Sequence, residues 1–364
     1  MVVLGSRGTG TARGRSLRFL PAFARFLVRR GLLAILVVLG VAIITFFLSH
    51  VIPADPAGLW AGTHATRQAV DQARATLHLD DPTYVQFWYY FTGLLQGNLG
   101  TSLVTHNSVL TDIAQHLPAT MELIVTSLLI SILVGIPLGI LAGVHQGKWP
   151  DHLTRVLAVG GVSLPSFWVA VVLQIVFNGV FHALPLQGRF TDGIQFTYPI
   201  KTITGFLTID SLLQGNLVRF SDAAVHLILP SVVLALYPIG LVARMVRTMM
   251  VEVLGENYIR TAKAYGLPAR LIHYRYALRN AIAPAIVALG LSVAYELTGA
   301  FLVEYIFVWN GIGQYAFQAV LSFDYPAILG TTIIVAVMYV VVNLIVDVIQ
   351  SLLDPRIVLG KTEA

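Results

Sequence analysis

No cysteine occurs among the 364 residues, so the chain has no disulfide framework, thiolate metal site or cysteine nucleophile, and its redox compartment stays open. Charge is scarce as well: Asp, Glu, Lys and Arg make up 11% of the sequence, against about 25% in an average soluble domain. The ten histidines form no His-Glu-x-x-His pair, which sets aside a zinc protease. No nucleophile stands at a recognisable spacing from a base, which sets aside a membrane enzyme. A phosphate-binding loop needs two glycines bracketing four residues ahead of Lys-Ser/Thr. The nearest approach, Gly360-Lys361-Thr362, has Pro355 at the first glycine position and two residues after it, leaving no helix to cap a phosphate. The expectation is a non-catalytic chain that binds no metal or cofactor itself, with any ATP held elsewhere.

What the sequence has in abundance is apolar surface: 56% of residues are hydrophobic and the mean hydropathy is +0.77. A helix needs about 20 apolar residues to cross a bilayer, where only its own backbone bonds satisfy its polar groups. Runs of that length predict an all-α membrane protein with six transmembrane helices, near 31–51, 121–143, 156–182, 225–248, 281–307 and 326–350. The predicted division is a basic N-terminal extension over 1–25, a six-span domain over 26–353 and a tail over 354–364. The first 20 or so residues have a disordered composition. The run from Gly31 is too long for a signal peptide and lacks a small-residue cleavage site, so it reads as a retained span.

The net charge of +5 is a matter of topology rather than of nucleic-acid binding. All but five of the 23 Lys and Arg residues fall before the first span, in 144–155, in 244–280 or after Asp354. The five exceptions, Arg67, Arg74, Arg189, Lys201 and Arg219, lie in the two long loops. Basic residues stay preferentially inside, so both termini and the 244–280 loop are expected in the cytoplasm of a cell (cytoplasmic or inner) membrane. The long outer loops, 52–120 and 183–224, carry turn signals and should form ordered caps. The cluster Phe87-Trp88-Tyr89-Tyr90-Phe91 reads as interfacial.

Several residues inside the spans invite a role. Ser163, Pro165, Ser166 and Phe167 interrupt the third span, where a proline frees a carbonyl; this reads either as a lining of the translocation pathway or as a packing kink. Glu296, Glu304 and Asp347 sit in apolar surroundings, where a carboxylate needs a partner, water or an interface. They read either as functional groups, as in an ion-driven transporter, or as structural pairs and caps. Gly135, Pro137, Gly139 and Gly143 permit close helix contact or bending in the second span.

The 244–280 loop is too polar for the bilayer and rich in helix formers. Tyr258, Ile259, Arg260, Thr261, Ala262, Lys263, Ala264 and Tyr265 form a predicted short helix, stopped by Gly266 and by Leu267-Pro268. Such a helix suits a groove on another protein; it also suits a juxtamembrane position with its bases on anionic lipid.

The pattern Tyr258, Arg260-Thr261-Ala262, Lys263, Ala264, Gly266-Leu267 resembles the coupling loop of permease subunits of ABC importers of the oligopeptide/dipeptide type. Ala277-Leu278-Arg279-Asn280-Ala281 with Pro284, Ile52-Pro53 with Asp55-Pro56, Leu117-Pro118-Ala119-Thr120 and Leu353-Asp354-Pro355-Arg356 resemble the same family. The resemblance runs from about residue 25 to 358. It implies a type I permease fold with a cytoplasmic coupling helix between the fourth and fifth spans. The partners implied are a second homologous permease subunit, two ATPase subunits that bind ATP and Mg, and an extracytoplasmic solute-binding protein. Import, and a peptide as solute, are likewise implications of the resemblance; oligosaccharide and nickel importers belong to the same group.

Overall fold

The computed structural model describes residues 12–353 except 52–55, 63, 64 and 77. The readings placed on Ile52-Pro53, Asp55, Asp354-Pro355-Arg356 and Gly360-Lys361-Thr362 lie outside the described residues. Among those described, the helices of eight residues or more outside the caps of the two long loops are α1 (Ala12–Val51), α2 (Val109–Val144), α3 (Trp149–Ser163), α4 (Ser166–Gln174), α5 (Leu217–Leu254), α6 (Asn257–Ala264), α7 (Ala283–Phe307), α8 (Ile312–Leu321) and α9 (Tyr325–Leu353). The chain from Ile175 to Val180 continues α4 as a π-helical turn.

Five helices are long and apolar enough to cross a membrane, and a sixth span results when α3 and α4 with its π turn are counted together. That pair is bent by 106°, where the sequence reading drew a single span over 156–182. Leu164 and Pro165 are extended between the two helices, because the residue before a proline is driven out of the helical region. Three other boundaries also move. Helix α1 begins at Ala12, so the described part of the basic extension is helical, in keeping with its Arg, Leu and Ala content. Helices α2 and α5 begin at Val109 and Leu217, upstream of the apolar runs. Their first turns carry Asp112, His116, Arg219, Asp222 and His226, which hide a continuous helix from a hydropathy reading.

The two long loops fold into caps of short helices, Pro56–Ala61, Arg67–Thr76 and Thr83–Leu95 in the first and Ile194–Thr197 and Leu207–Leu213 in the second. Phe87 and Tyr90, from the aromatic cluster, pack their rings on Phe46 at the outer end of α1, with centroids 5.2 and 5.4 Å apart. Trp88 and Tyr89 remain exposed. Asp210 ties the second cap together by accepting hydrogen bonds from the backbone N–H groups of Ile203, Thr204 and Gly205.

Helices α2 and α5 pack along a seam of glycines one turn apart. A Cβ added at Gly135, Gly139 or Gly143 would stand 3.1, 2.6 or 2.6 Å from the Cβ of Val242, Val246 or Met250 on α5. Small residues let two backbones approach where hydrophobic driving force is absent. Where α3 crosses α5 the arrangement is reciprocal: a Cβ on Gly161 would meet the Leu236 carbonyl at 2.6 Å, and one on Gly240 the Ala158 carbonyl at 2.6 Å. Gly139→Ala is therefore expected to destabilise the chain by about 1–3 kcal/mol through overpacking. Gly160→Ala, in open space on α3, should be neutral or stabilising by up to about 1 kcal/mol. Thermal melting in detergent compares the two; equal midpoints would refute the packing of the seam.

Candidate functional site

The interrupted third span opens a narrow cleft whose walls come from the α3–α4 break, α5 and α7. Gly161, Ser166, Leu236, Tyr237, Tyr295 and Glu296 line it. Of the residues expected along a pathway, Ser166 and Glu296 meet here, while Ser163, Pro165 and Phe167 face outward from the break. Tyr237 and Tyr295 stack across the α5–α7 contact with ring centroids 4.0 Å apart. Glu296 is 1% exposed. One of its oxygens is hydrogen-bonded to the Ser127 hydroxyl of α2, and the other, Oε1, has no hydrogen-bond partner. A buried polar atom without a partner is rare enough to require an explanation.

Glu304 lies apart from this cleft and is saturated. Its Oε1 accepts from Thr120 Oγ1 at 2.6 Å and its Oε2 from the Gln314 N–H at 3.1 Å. The carboxylate caps the first turn of α8, where unpaired N–H groups and the helix dipole favour a negative charge. Gly311 and Gly313 leave the room it occupies, since a Cβ on either would run into the Glu304 carboxylate. Thr120 also accepts from the Ile312 N–H at 2.8 Å, and Trp309 Nε1–H donates to the Ala119 carbonyl at 2.9 Å. Glu304 thus joins α2, α7 and α8. Asp347 is paired with Arg30 of α1 at 2.8 Å.

Two further nodes depend on partners far apart in the sequence. Asp151, fully buried at the start of α3, accepts from Arg247 of α5 at 2.7 and 3.0 Å, from Arg155 at 3.1 Å and from the Gly147 N–H at 2.9 Å. Glu122 of α2 accepts from Arg189 at 2.6 Å and from the Thr208 N–H and hydroxyl of the outer cap. Arg189 in turn lies over the Trp309 ring at 5.7 Å.

In the loop after α5, α6 spans Asn257–Ala264. The Gly266 N–H bonds to the Lys263 carbonyl at 3.0 Å and the Leu267 N–H to the Ala262 carbonyl at 3.2 Å, with Gly266 at φ +72°. This is the helix stop expected of a glycine able to turn left-handed. Tyr258 and Asn280, 22 residues apart, are joined by a 2.8 Å hydrogen bond from the Asn280 side chain to the Tyr258 hydroxyl. Ile259 and Ala262 face inward and share a core cluster with Val246 and Met250 of α5 and Ile140 of α2. Tyr258, Arg260, Thr261, Lys263, Ala264 and Tyr265 face outward. Ala262 is thus a packing residue rather than part of an open docking face.

His273 lies behind α6 on the segment Ile272–Ala277. Burial, with Lys263 and His145 adding positive charge, holds its imidazole below the usual histidine range. The neutral form is therefore favoured in the folded loop. Its stabilising contribution is complete above the ordinary histidine pKa and is lost as pH falls through the depressed value. Amide exchange over 257–277, corrected for intrinsic rates, should accelerate on acidification below about pH 6, and less so in His273→Gln. Equal acceleration in the two proteins would refute this assignment.

The sequence matches two family models. The binding-protein-dependent transport system inner membrane component model covers residues 135–359, and the model for the N-terminal part of such membrane components covers 23–124. The chain is similar to the probable D,D-dipeptide transport system permease protein DdpB of Escherichia coli (strain K12), 45% identical over 90% of this chain and 96% of that protein. It is also similar to the dipeptide transport system permease protein DppB of Alkalihalophilus pseudofirmus, 38% identical over 91% and 98% of the two chains. A third relative is the di/tripeptide transport system permease protein DppB of Pseudomonas aeruginosa, 39% identical over 91% and 98%.

Proposed function

This chain belongs to the family of inner membrane components of binding-protein-dependent transport systems, as an ABC importer permease of the dipeptide type, and on that premise we propose how it is coupled to ATP. It is a multi-pass inner-membrane subunit of a peptide importer, a transport permease rather than an enzyme. In this reading ATP and Mg are bound and hydrolysed by two separate ATPase subunits. A second, homologous permease subunit completes the pathway, and an extracytoplasmic binding protein delivers the peptide to the outer caps. Both termini and the α5–α7 loop face the cytoplasm, where the excess of Lys and Arg lies.

The observation that carries the coupling role is the two-sidedness of α6. Its inner side, Ile259 and Ala262, is continuous with the core of α2 and α5. Its outer side presents Arg260, Thr261, Lys263, Ala264 and Tyr265, which no described residue of this chain covers. A small residue beside two bases suits a cleft with acidic groups, and closure of that cleft moves α5 through the shared core. The expected outcome for Ala264→Arg is a folded, inserted chain whose co-purification with the ATPase and ATP-dependent uptake drop about tenfold or more, as for a central contact replaced by a clash. Ala262→Arg should instead loosen the loop itself, raising its amide exchange. Unchanged ATPase association in Ala264→Arg would reject the docking role.

A further inference from the structure

The saturated Glu304 and the paired Asp347 leave Glu296 as the carboxyl within the spans whose bonding is incomplete. It is almost fully buried, forms no ion pair with a described residue, and holds only the Ser127 hydroxyl. Its free Oε1 belongs to a residue that lines the cleft beside the α3–α4 break, and the same wall carries the stacked pair Tyr237 and Tyr295. A purely structural tie between α2 and α7 requires one oxygen; it gives no reason for a second, bare oxygen beside an opening. A carboxylate next to aromatic rings in a narrow cleft is an arrangement that recognises an organic cation, by charge-assisted hydrogen bonds and by the negative faces of the rings.

We propose that Glu296, with Tyr237 and Tyr295, forms a transient site for a primary ammonium group. Resting on the peptide-importer reading, the group is the amino terminus or a lysine side chain of the passing solute. Oε1 accepts its N–H donors beside the stacked tyrosine pair. The incompleteness of the site suits transport: a cation held by a single carboxylate and two rings is guided along the route and released.

The test uses the purified transporter assembly perfused with propylammonium chloride, against sodium chloride at equal ionic strength. Infrared difference spectra report the carboxyl and carboxylate bands. The expected result is a difference band in the wild type that is absent in Glu296→Gln and retained in Ser127→Ala, which removes the helix tie but keeps the carboxyl. Tyr295→Leu, at a half-exposed position away from the core, should raise the half-saturating propylammonium concentration about two- to fivefold. A band that is missing in the wild type, or unchanged in Glu296→Gln, overturns the proposal and leaves Glu296 as a helix tie. A response to pH but not to propylammonium overturns it in favour of a proton site. Should Glu296→Gln fail to fold, an unchanged half-saturation in Tyr295→Leu overturns the proposal equally. Uptake of radiolabelled dialanine separates the two readings: a wild-type assembly that does not transport it removes the peptide reading, while the propylammonium result stands or falls independently. Where the wild type does transport it, Glu296→Gln should lower uptake about tenfold or more, and wild-type uptake in that variant would overturn the site.

Discussion

The close approach of α2 and α5 is the constraint from which the rest of the bundle takes its position. Three glycines at one-turn spacing bring the α2 backbone against Val242, Val246 and Met250, and the separation they allow fixes where α5 can present its other faces. On one of those faces α3 crosses at Gly161 and Gly240, again without side chains between the backbones. On another, the lower end of α5 carries the cluster that receives Ile259 and Ala262 of α6. A protein interior packed at such density transmits displacement rather than absorbing it. Helix α6 and the helix that walls the cleft are therefore one mechanical body, joined through α5.

The buried acids divide according to how completely they are bonded. Glu304 has hydroxyl and backbone donors at the start of α8, Asp347 has Arg30, and Asp151 has a bidentate guanidinium. Removing one partner of such a group leaves uncompensated polarity in an apolar setting, so these residues hold the fold. Glu296 differs because half of its carboxyl is uncommitted. The capped end of the molecule is stitched by Glu122, Arg189 and Trp309, which fasten the second cap to α2 and to the turn after α7. Strong bonding of the acids is thus found toward the ends of the spans, and the uncommitted carboxyl oxygen belongs to a residue that lines the cleft between them.

How much of this was legible in the sequence depended on whether the signal was local. Apolar runs located the spans, and the Gly266-Leu267-Pro268 stop located the end of α6, because both express the chemistry of neighbouring residues. Polar first turns concealed the true starts of α2 and α5, and Pro165 announced a break without revealing a bend of 106°, since the angle is set by how α3 and α4 pack on α5. The inward direction of Ala262 followed from the register of a two-turn helix on a core that composition does not disclose. Pairings over long separations, Asp151 with Arg247 or Tyr237 with Tyr295, left no trace in a single sequence. The glycines of the α2 seam were readable as permissive of contact, but their partners were not.

The pair formed by Arg30 and Asp347 joins the first span to the last. During synthesis α1 enters the membrane with Arg30 near its basic flank, where the group can stay hydrated, and waits for most of the chain to be made. Asp347 arrives last and finds its counter-charge already in place. Closure of the bundle is thereby tied to completion of the chain: a product truncated before α9 lacks both the partner of Arg30 and the helix that packs on α1.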